Sequence, residues 1–245
     1  MKVVCIVQAR VGSTRLPAKI LKKIFDKTVL EHDIERLRRV KNISDLIIAT
    51  TANEQDDLIV DECQRLNVKY FRGSEEDVLS RYYHAAQENQ ADIVVRVTSD
   101  CPLIDPETSE KIIDFYLDHK EEYDYVSNTI DRSYPRGLDT EVFSFTALED
   151  AFLLATKKYE REHVTPYIYQ HPEKFEIAQF KNKQDFSDYR WTLDTKEDFE
   201  VIKLVYEGLY QKKKDFDYAD ILCFVKENPY IVEINKEIVQ KKLGE

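Results

Sequence analysis

The feature that most limits what this chain can become is the alternation of two periodicities along its first hundred residues. KVVCIVQ (2–8) is a short apolar run of the buried-strand kind, whereas TVLEHDIERLRRV (28–40) spaces apolar residues 30, 34, 37 and 40 for one helical face. DLIIATT (45–51) is β-branched and strand-like. A helix follows, with Asn53 its predicted N-cap and Leu58, Ile59, Cys63 and Leu66 its apolar face. VKYF (68–71) predicts a third strand. Ser74 opens an S-x-x-D sequence, close to a capping box, ahead of the helix EEDVLSRYYHAAQ. DIVVRVTSD (92–100) predicts a fourth strand. Strands separated by helices pair in parallel through right-handed crossovers.

The middle of the chain breaks this rhythm. YDYVSN (123–128), LDTEVFSF (138–145) and FEIAQF (175–180) predict further strands, a mixed extension of the sheet, and from Lys196 onward the pattern is helical. The expected fold class is α/β: a three-layer α/β/α sandwich around a mostly parallel mixed sheet, Rossmann-like. With no internal repeat and no low-complexity linker, residues 1–245 read as a single domain.

Charge narrows the function. The net charge is −11, so the average surface repels nucleic acid and anionic membranes, and neither is an expected partner. A polyanionic ligand must be held by a local basic site. The 4 cysteines form no C-x-x-C pair, and Cys5 and Cys63 sit inside apolar patterns as buried thiols rather than as parts of a disulfide framework. Met1-Lys2 leads into a brief apolar run and then charge, without a secretion leader or a stretch long enough to span a membrane. The expectation is a cytoplasmic protein.

Ligands of open parallel sheets bind beyond the carboxyl ends of the strands. Two polar clusters fall there. The loop ARVGSTRLPAK, after the first strand, carries Arg10, Ser13, Arg15 and Lys19: guanidinium forks and an ammonium suited to phosphate oxygens, with Gly12 allowing close backbone approach. It is neither G-x-G-x-x-G nor a P-loop, and a solvated basic surface loop has the same residue types. At the end of the fourth strand, Asp100 in TSDCPLID is placed to hold Mg²⁺ beside phosphate oxygens, or to serve as a turn residue; Asp105 before Pro106 reads as a helix cap. RWTLDTKEDF (190–199) looks like a helix start, with Asp194-Thr195 at the cap and Asp198 in the first turn. In YPRGLDTEVF (134–143), an extended 138–143 would put Asp139 and Glu141 on one face, for a cation, for sugar hydroxyls or simply for solvent. His163 precedes an aromatic run and suits either a ligand contact or a structural role. Neither a zinc-ligand spacing nor a Ser/His/Asp arrangement is evident.

QARVGSTRLPAKIL resembles the signature Q/P-A-R-x-x-S-x-R-L-P-x-K-x-L of the sugar-activating cytidylyltransferases, the group of the CMP-Kdo and CMP-acylneuraminate synthetases. RGSEEDVLSRYYHAA, TSDCPLID, YPRGLDTEVF, EREHVTPYI and RWTLDTKEDF look closer still to the spore coat polysaccharide biosynthesis protein F branch. The resemblance spans residues 1 to about 205. It implies a nucleotide-diphospho-sugar transferase type of sandwich and a Mg²⁺-dependent reaction, CTP plus sugar giving a CMP- or CDP-sugar and pyrophosphate, for surface polysaccharide or glycoconjugate biosynthesis.

Residue by residue, the resemblance implies that Arg10, Ser13, Arg15 and Lys19 bind the CTP phosphates and that the Ala9 backbone faces the cytosine. It implies that Asp100 and Asp194 coordinate Mg²⁺, with Arg15, Lys19 and Asp100 the catalytic set, and that Arg72 and Ser74 contact base or ribose. Arg136, Asp139, Glu141 and His163 are the candidates for holding the acceptor. The chain departs from the CMP-Kdo synthetase ending P-G-K-P-L, having P-A-K-I-L, so the resemblance speaks for CTP rather than for a particular sugar. Two other readings remain open at this point. A glycosyltransferase of similar fold is disfavoured by the single aspartate of S-D-C-P where a D-x-D motif would stand. A non-catalytic nucleotide-binding homologue is disfavoured by the intact cations and aspartates. Relatives are commonly homodimers, and YIYQHPEKFEIAQF suits either a dimer surface or core.

Overall fold

The computed structural model describes residues 1–241; positions 242–245 of the expected single domain lie outside the described residues. In chain order the elements are β1 (Val3–Gln8), β2 (Lys23–Ile24), β3 (Lys27–Thr28), α1 (Val29–Leu37), β4 (Asp45–Thr51), α2 (Asp57–Arg65), β5 (Lys69–Gly73), α3 (Val78–Glu88), β6 (Ile93–Thr98) and α4 (Pro106–Asp118). There follow β7 (Tyr125–Ser127), β8 (Glu141–Ser144), α5 (Phe145–Leu154), α6 (Lys158–His163), α7 (Pro166–Tyr169), β9 (Ile177–Gln179), α8 (Lys196–Leu209), α9 (Tyr218–Glu227) and α10 (Tyr230–Asn235).

Seven strands form one sheet in the order β5-β4-β1-β6-β8-β7-β9. β5, β4, β1 and β6 are mutually parallel, β8 runs antiparallel to β6 and β7, and β9 is parallel to β7. β1 shows why the chain makes three layers. Side chains alternate across a strand, so Val3, Cys5 and Val7 enter one core with Leu30 and Ile34 of α1, Ile59 of α2 and Ile112 of α4. Val4 and Ile6 enter the other, with Leu79 and Tyr82 of α3 and Leu148 of α5. The expected mostly parallel α/β/α sandwich is the observed fold.

A third core surrounds Trp191. It joins Val201, Ile202 and Tyr206 of α8 and Ile221 of α9 to Leu16 and Ile24, on the segment that follows β1. The C-terminal helices therefore pack against the basic loop rather than against the middle of the sheet. Tyr167, Ile168 and Phe175, from the aromatic stretch considered for a dimer surface, are buried within the chain's own core. No helix among the described residues is long and apolar enough to cross a membrane.

Several local expectations need correction. Asn53 makes no side-chain cap; a 3₁₀ turn intervenes and α2 begins only at Asp57. Leu58 is consequently exposed, while Ile59 and Cys63 carry the buried face. Ser74 accepts the Asp77 N–H at 3.0 Å, but the cap of α3 is Asp77, which accepts the Ser80 N–H at 2.9 Å. β8 starts at Glu141, so Asp139 precedes the strand instead of sharing a strand face with Glu141. Asp105 does cap α4, accepting the Thr108 N–H at 2.9 Å, and Thr195 caps α8 in a reciprocal pair with Asp198.

Candidate active site

A cavity of about 990 Å³ opens beyond the carboxyl ends of β1 and β6. The basic loop, the β6 end, α3, α6 and the segment carrying Asp194 all contribute to its wall. The two aspartates named from the sequence meet there. Lys19 Nζ donates to Asp100 Oδ2 at 2.8 Å, to Asp194 Oδ1 at 2.9 Å and to the Leu193 carbonyl at 2.7 Å. Arg15 Nη2 lies 3.0 Å from the same Asp194 oxygen. Asp100 also accepts the Thr98 hydroxyl at 2.6 Å.

Backbone pairing makes this convergence possible. The Leu193 N–H donates to the Asp100 carbonyl at 2.7 Å, which ties the segment before α8 to the end of β6. Trp191 N–H donates to the Arg136 carbonyl at 2.7 Å, and Arg136 N–H to the Tyr189 carbonyl at 3.0 Å. Gly137 turns the chain beside this pairing at φ +104°, where a Cβ would stand 2.6 Å from the Trp191 carbonyl carbon.

Charges are balanced within the cluster. Burial opposes ionisation of Asp100, but the Lys19 ammonium and the hydrogen bonds from Lys19 and Thr98 outweigh it and bring the carboxyl down to about 2. Burial pulls Lys19 down in turn, and Asp100 and Asp194 reverse the effect and leave it raised. Behind them Arg190, missed at the sequence level, donates from Nη2 to Asp194 Oδ2 at 2.9 Å and from Nε to Asp198 Oδ1 at 2.9 Å. Its adjacency to the LDTKED segment was the available signal.

The remaining candidates divide cleanly. Ala9, Arg10 and Ser13 line the cavity, although the Ala9 N–H is already bonded to the Ala49 carbonyl at 3.0 Å. Arg136, Glu141 and His163 also line it. Glu141 is buried between Arg96, with which it forms an ion pair, and the Tyr125 hydroxyl, which donates to it at 2.7 Å. Arg96 also lines the cavity; a lone arginine within the apolar run of β6 was a sequence signal left unread. Burial lowers the His163 imidazole, which favours its neutral form.

Three candidates are not brought to the cavity wall. Arg72 donates to the Thr51 and Asn53 carbonyls at 2.9 Å each and pairs with Asp57 at 2.6 Å, which ties down the end of β4. Ser74 is engaged in its local turn with Asp77. Asp139 is held by both terminal nitrogens of Arg132, at 2.5 and 2.9 Å. In each case a nearby backbone or charged partner takes up the polar group.

An open, mostly parallel sheet with a cationic loop after its first strand, facing carboxylates from two distant segments, places the site beyond the carboxyl ends of the strands, where α/β proteins of this kind bind nucleotides. The chain belongs to the cytidylyltransferase family, whose pattern matches residues 4–237. An uncharacterized protein of Methanocaldococcus jannaschii is 42% identical over 250 residues, covering 100% of this chain and 99% of its own length. Spore coat polysaccharide biosynthesis protein SpsF of Bacillus subtilis is 33% identical over 231 residues, covering 91% of this chain and 94% of that protein. The structure of a cytidylyltransferase from Leptospira borgpetersenii superposes with a TM-score of 0.91 at 36% identity, over 99% of this chain and 100% of that one.

Proposed function

We propose that the protein transfers the cytidylyl group of CTP to a hydroxyl of a sugar or sugar acid, giving a CMP-sugar, or to the phosphate oxygen of a sugar phosphate, giving a CDP-sugar, with pyrophosphate released in either case. The observation that carries this reading is the Lys19 ammonium held between Asp100 and Asp194 at the mouth of β1 and β6. Family membership supports the nucleotide, and the likeness to a spore coat polysaccharide protein supports a role in surface polysaccharide synthesis.

In the proposed step the acceptor oxygen forms a bond to the α-phosphorus and gives up its proton to water in the open cavity. The bond from that phosphorus to the bridging oxygen breaks, and pyrophosphate leaves with the electron pair. Negative charge grows on the bridging and leaving oxygens. Arg15 and Lys19 are fixed cations at this wall, and charge held there stabilises the transition state more than the ground state. Arg136, Glu141 and His163, which line the same cavity, are the residues proposed to meet the acceptor, and the neutral imidazole can accept a hydrogen bond from a sugar hydroxyl.

Asp100 and Asp194 would hold Mg²⁺. The fit rests on the donor set: two convergent carboxylates, hard oxygen ligands of the number Mg²⁺ takes alongside substrate phosphates, whose present counter-charges, Lys19 on both and Arg15 and Arg190 on Asp194, would have to make room for the ion. Among the described residues no cluster of three or more potential ligands forms a complete protein cage, so phosphate and water would supply the remaining positions. When bound, the ion adds positive charge beside the reacting phosphate.

The test is pyrophosphate release from CTP, with and without Mg²⁺, across a panel of sugar acids, sugar phosphates and alditol phosphates. Release that requires an acceptor and prefers CTP over UTP, GTP and ATP is expected. Calorimetric binding of UTP or GTP as tightly as CTP would count decisively against the reading.

A further inference from the structure

The basic loop is gripped at its neck by a buried carboxylate from another part of the chain. Asp56, at the end of the 3₁₀ turn between β4 and α2, is 0% exposed. Its Oδ1 accepts the Val11 N–H at 2.7 Å, across 45 positions of chain, and its Oδ2 accepts the Thr51 hydroxyl. Asp56 stands at the N-cap position of α2, where an aspartate ordinarily accepts from its own helix, yet it makes no such bond. Nor does it form an ion pair among the described residues; the pair at this end of the helix joins Arg72 to Asp57 instead. A buried carboxylate without a counter-charge is costly. Where a local rule is broken at such a cost, the partner that the side chain holds points to function.

From Val11 the constraint passes to Lys19. The Ala18 N–H donates to the Val11 carbonyl at 3.3 Å, so residues 11 and 18 close the loop that carries Ser13 and Arg15. Ala18 has φ 52° and ψ 34°, a left-handed conformation that a residue other than glycine keeps only when its surroundings impose it. The next residue is Lys19, whose ammonium meets Asp100 and Asp194. The body of the loop is fixed separately, by Leu16 buried in the core around Trp191. Asp56 is not part of the cavity wall, so it acts on a ligand only through the loop.

We propose that Asp56 is the positioning residue of the basic loop: its carboxylate fixes the Val11 amide, closes the loop neck and so sets Lys19 for a polyphosphate before the ligand arrives. A cation already in place needs no ordering when the ligand binds. The inference rests on the CTP-dependent reading above and goes beyond it by giving the loop's geometry a cause in the connection between β4 and α2.

The experiment is titration calorimetry in Mg²⁺ buffer of full-length wild type, Asp56→Ala, Asp56→Asn, Lys19→Met and the Lys19→Met/Asp56→Ala double variant, with inorganic tripolyphosphate and CTP as probes. Each protein is melted without ligand, and amide exchange at Val11 is followed in the same samples. Asp56→Ala should weaken tripolyphosphate and CTP alike by about tenfold, the worth of a charge-assisted hydrogen bond. It should speed exchange of the Val11 amide and leave that of the Ala9 amide, which the Ala49 carbonyl holds, unchanged. Asp56→Asn, whose amide oxygen can still accept from Val11, should stay within about threefold of wild type. In the Lys19→Met background Asp56→Ala should cost less than about threefold, because the cation it positions is already gone. Unchanged affinities in Asp56→Ala would overturn the proposal and leave the reaction class standing. An equal loss with and without Lys19 would also overturn it, since Asp56 would then act on overall stability alone. If Asp56→Ala does not fold, the same cycle built with Asp56→Asn decides between these outcomes. A wild type that binds neither tripolyphosphate nor CTP would remove the functional reading itself, and the proposal with it.

Discussion

Lys19 and Asp194 stand 175 positions apart in the chain, yet the ammonium of one lies 2.9 Å from a carboxylate oxygen of the other. Asp100 completes the contact at 2.8 Å. The loop cation is therefore not a solvated surface charge: its side chain is 14% exposed and fully engaged. Replacing Lys19 with Met should leave two facing carboxylates short of a counter-charge. We expect a loss of about 2 kcal/mol in urea unfolding, less than for a fully buried pair because Arg15 and Arg190 still neutralise Asp194. Pyrophosphate release from CTP should fall by about 100-fold or more. Unimpaired release from this variant would remove Lys19 from the chemistry.

The Asp100 carboxyl, brought from 3.8 to about 2 against the opposition of burial, makes a pH prediction with a definite sign. A carboxyl depressed in the folded state stabilises the protein above its unfolded value and loses that effect as pH falls through the folded one. The contribution, about 2 kcal/mol at neutral pH, should fade between about pH 4 and pH 2. Asp100→Asn should accordingly be less stable than wild type at pH 6, with the gap closing as the acid end is approached. A pH-independent gap would mean that the ion pair does not carry the difference.

Arg190 is the partner that keeps Asp198 tolerable. Asp198 is 0% exposed and accepts from Arg190, from Asn235 at 2.9 Å and from the Asp194 backbone N–H at 2.9 Å. Arg190→Met should destabilise by about 3 kcal/mol, since it leaves a buried carboxylate without its cation. Arg190→Met combined with Asp198→Asn should recover part of that loss. A double-mutant cycle with no coupling would contradict the pairing.

Gly137 sits at φ +104° with the Trp191 carbonyl carbon 2.6 Å from where a Cβ would be. Gly137→Ala combines an unfavourable backbone region with a backbone clash, and we expect about 2–3 kcal/mol of lost stability. Because Arg136 and Trp191 pair across this point, the variant should also weaken CTP-dependent turnover more than a substitution such as Leu153→Ala, at an exposed helix position outside the cavity lining. Wild-type melting behaviour would show that the turn adapts.

Much of this protein was legible in its order of residues. The β1 alternation, in which Val4 and Ile6 face one way and Val3, Cys5 and Val7 the other, fixes two buried faces locally, because strand periodicity alone decides which side each residue enters. The basic loop, Asp100 and Asp194 were recognisable from residue type and pattern. What pattern could not decide is which partner each polar group finds. Arg72 and Asp139 have the same chemistry as Arg15 and Asp194, but Asp57 and Arg132 sit close enough to engage them, and neither reaches the cavity wall. Arg81 reads from sequence as an ordinary polar position on a helix, yet the fold leaves it 2% exposed, its stem packed against Gly73. Periodicity is a short-range property, and it set the layers. The convergence of Asp100 and Asp194 on Lys19 depends on the Leu193–Asp100 backbone bond between segments far apart in the chain, and only the folded structure contains that bond.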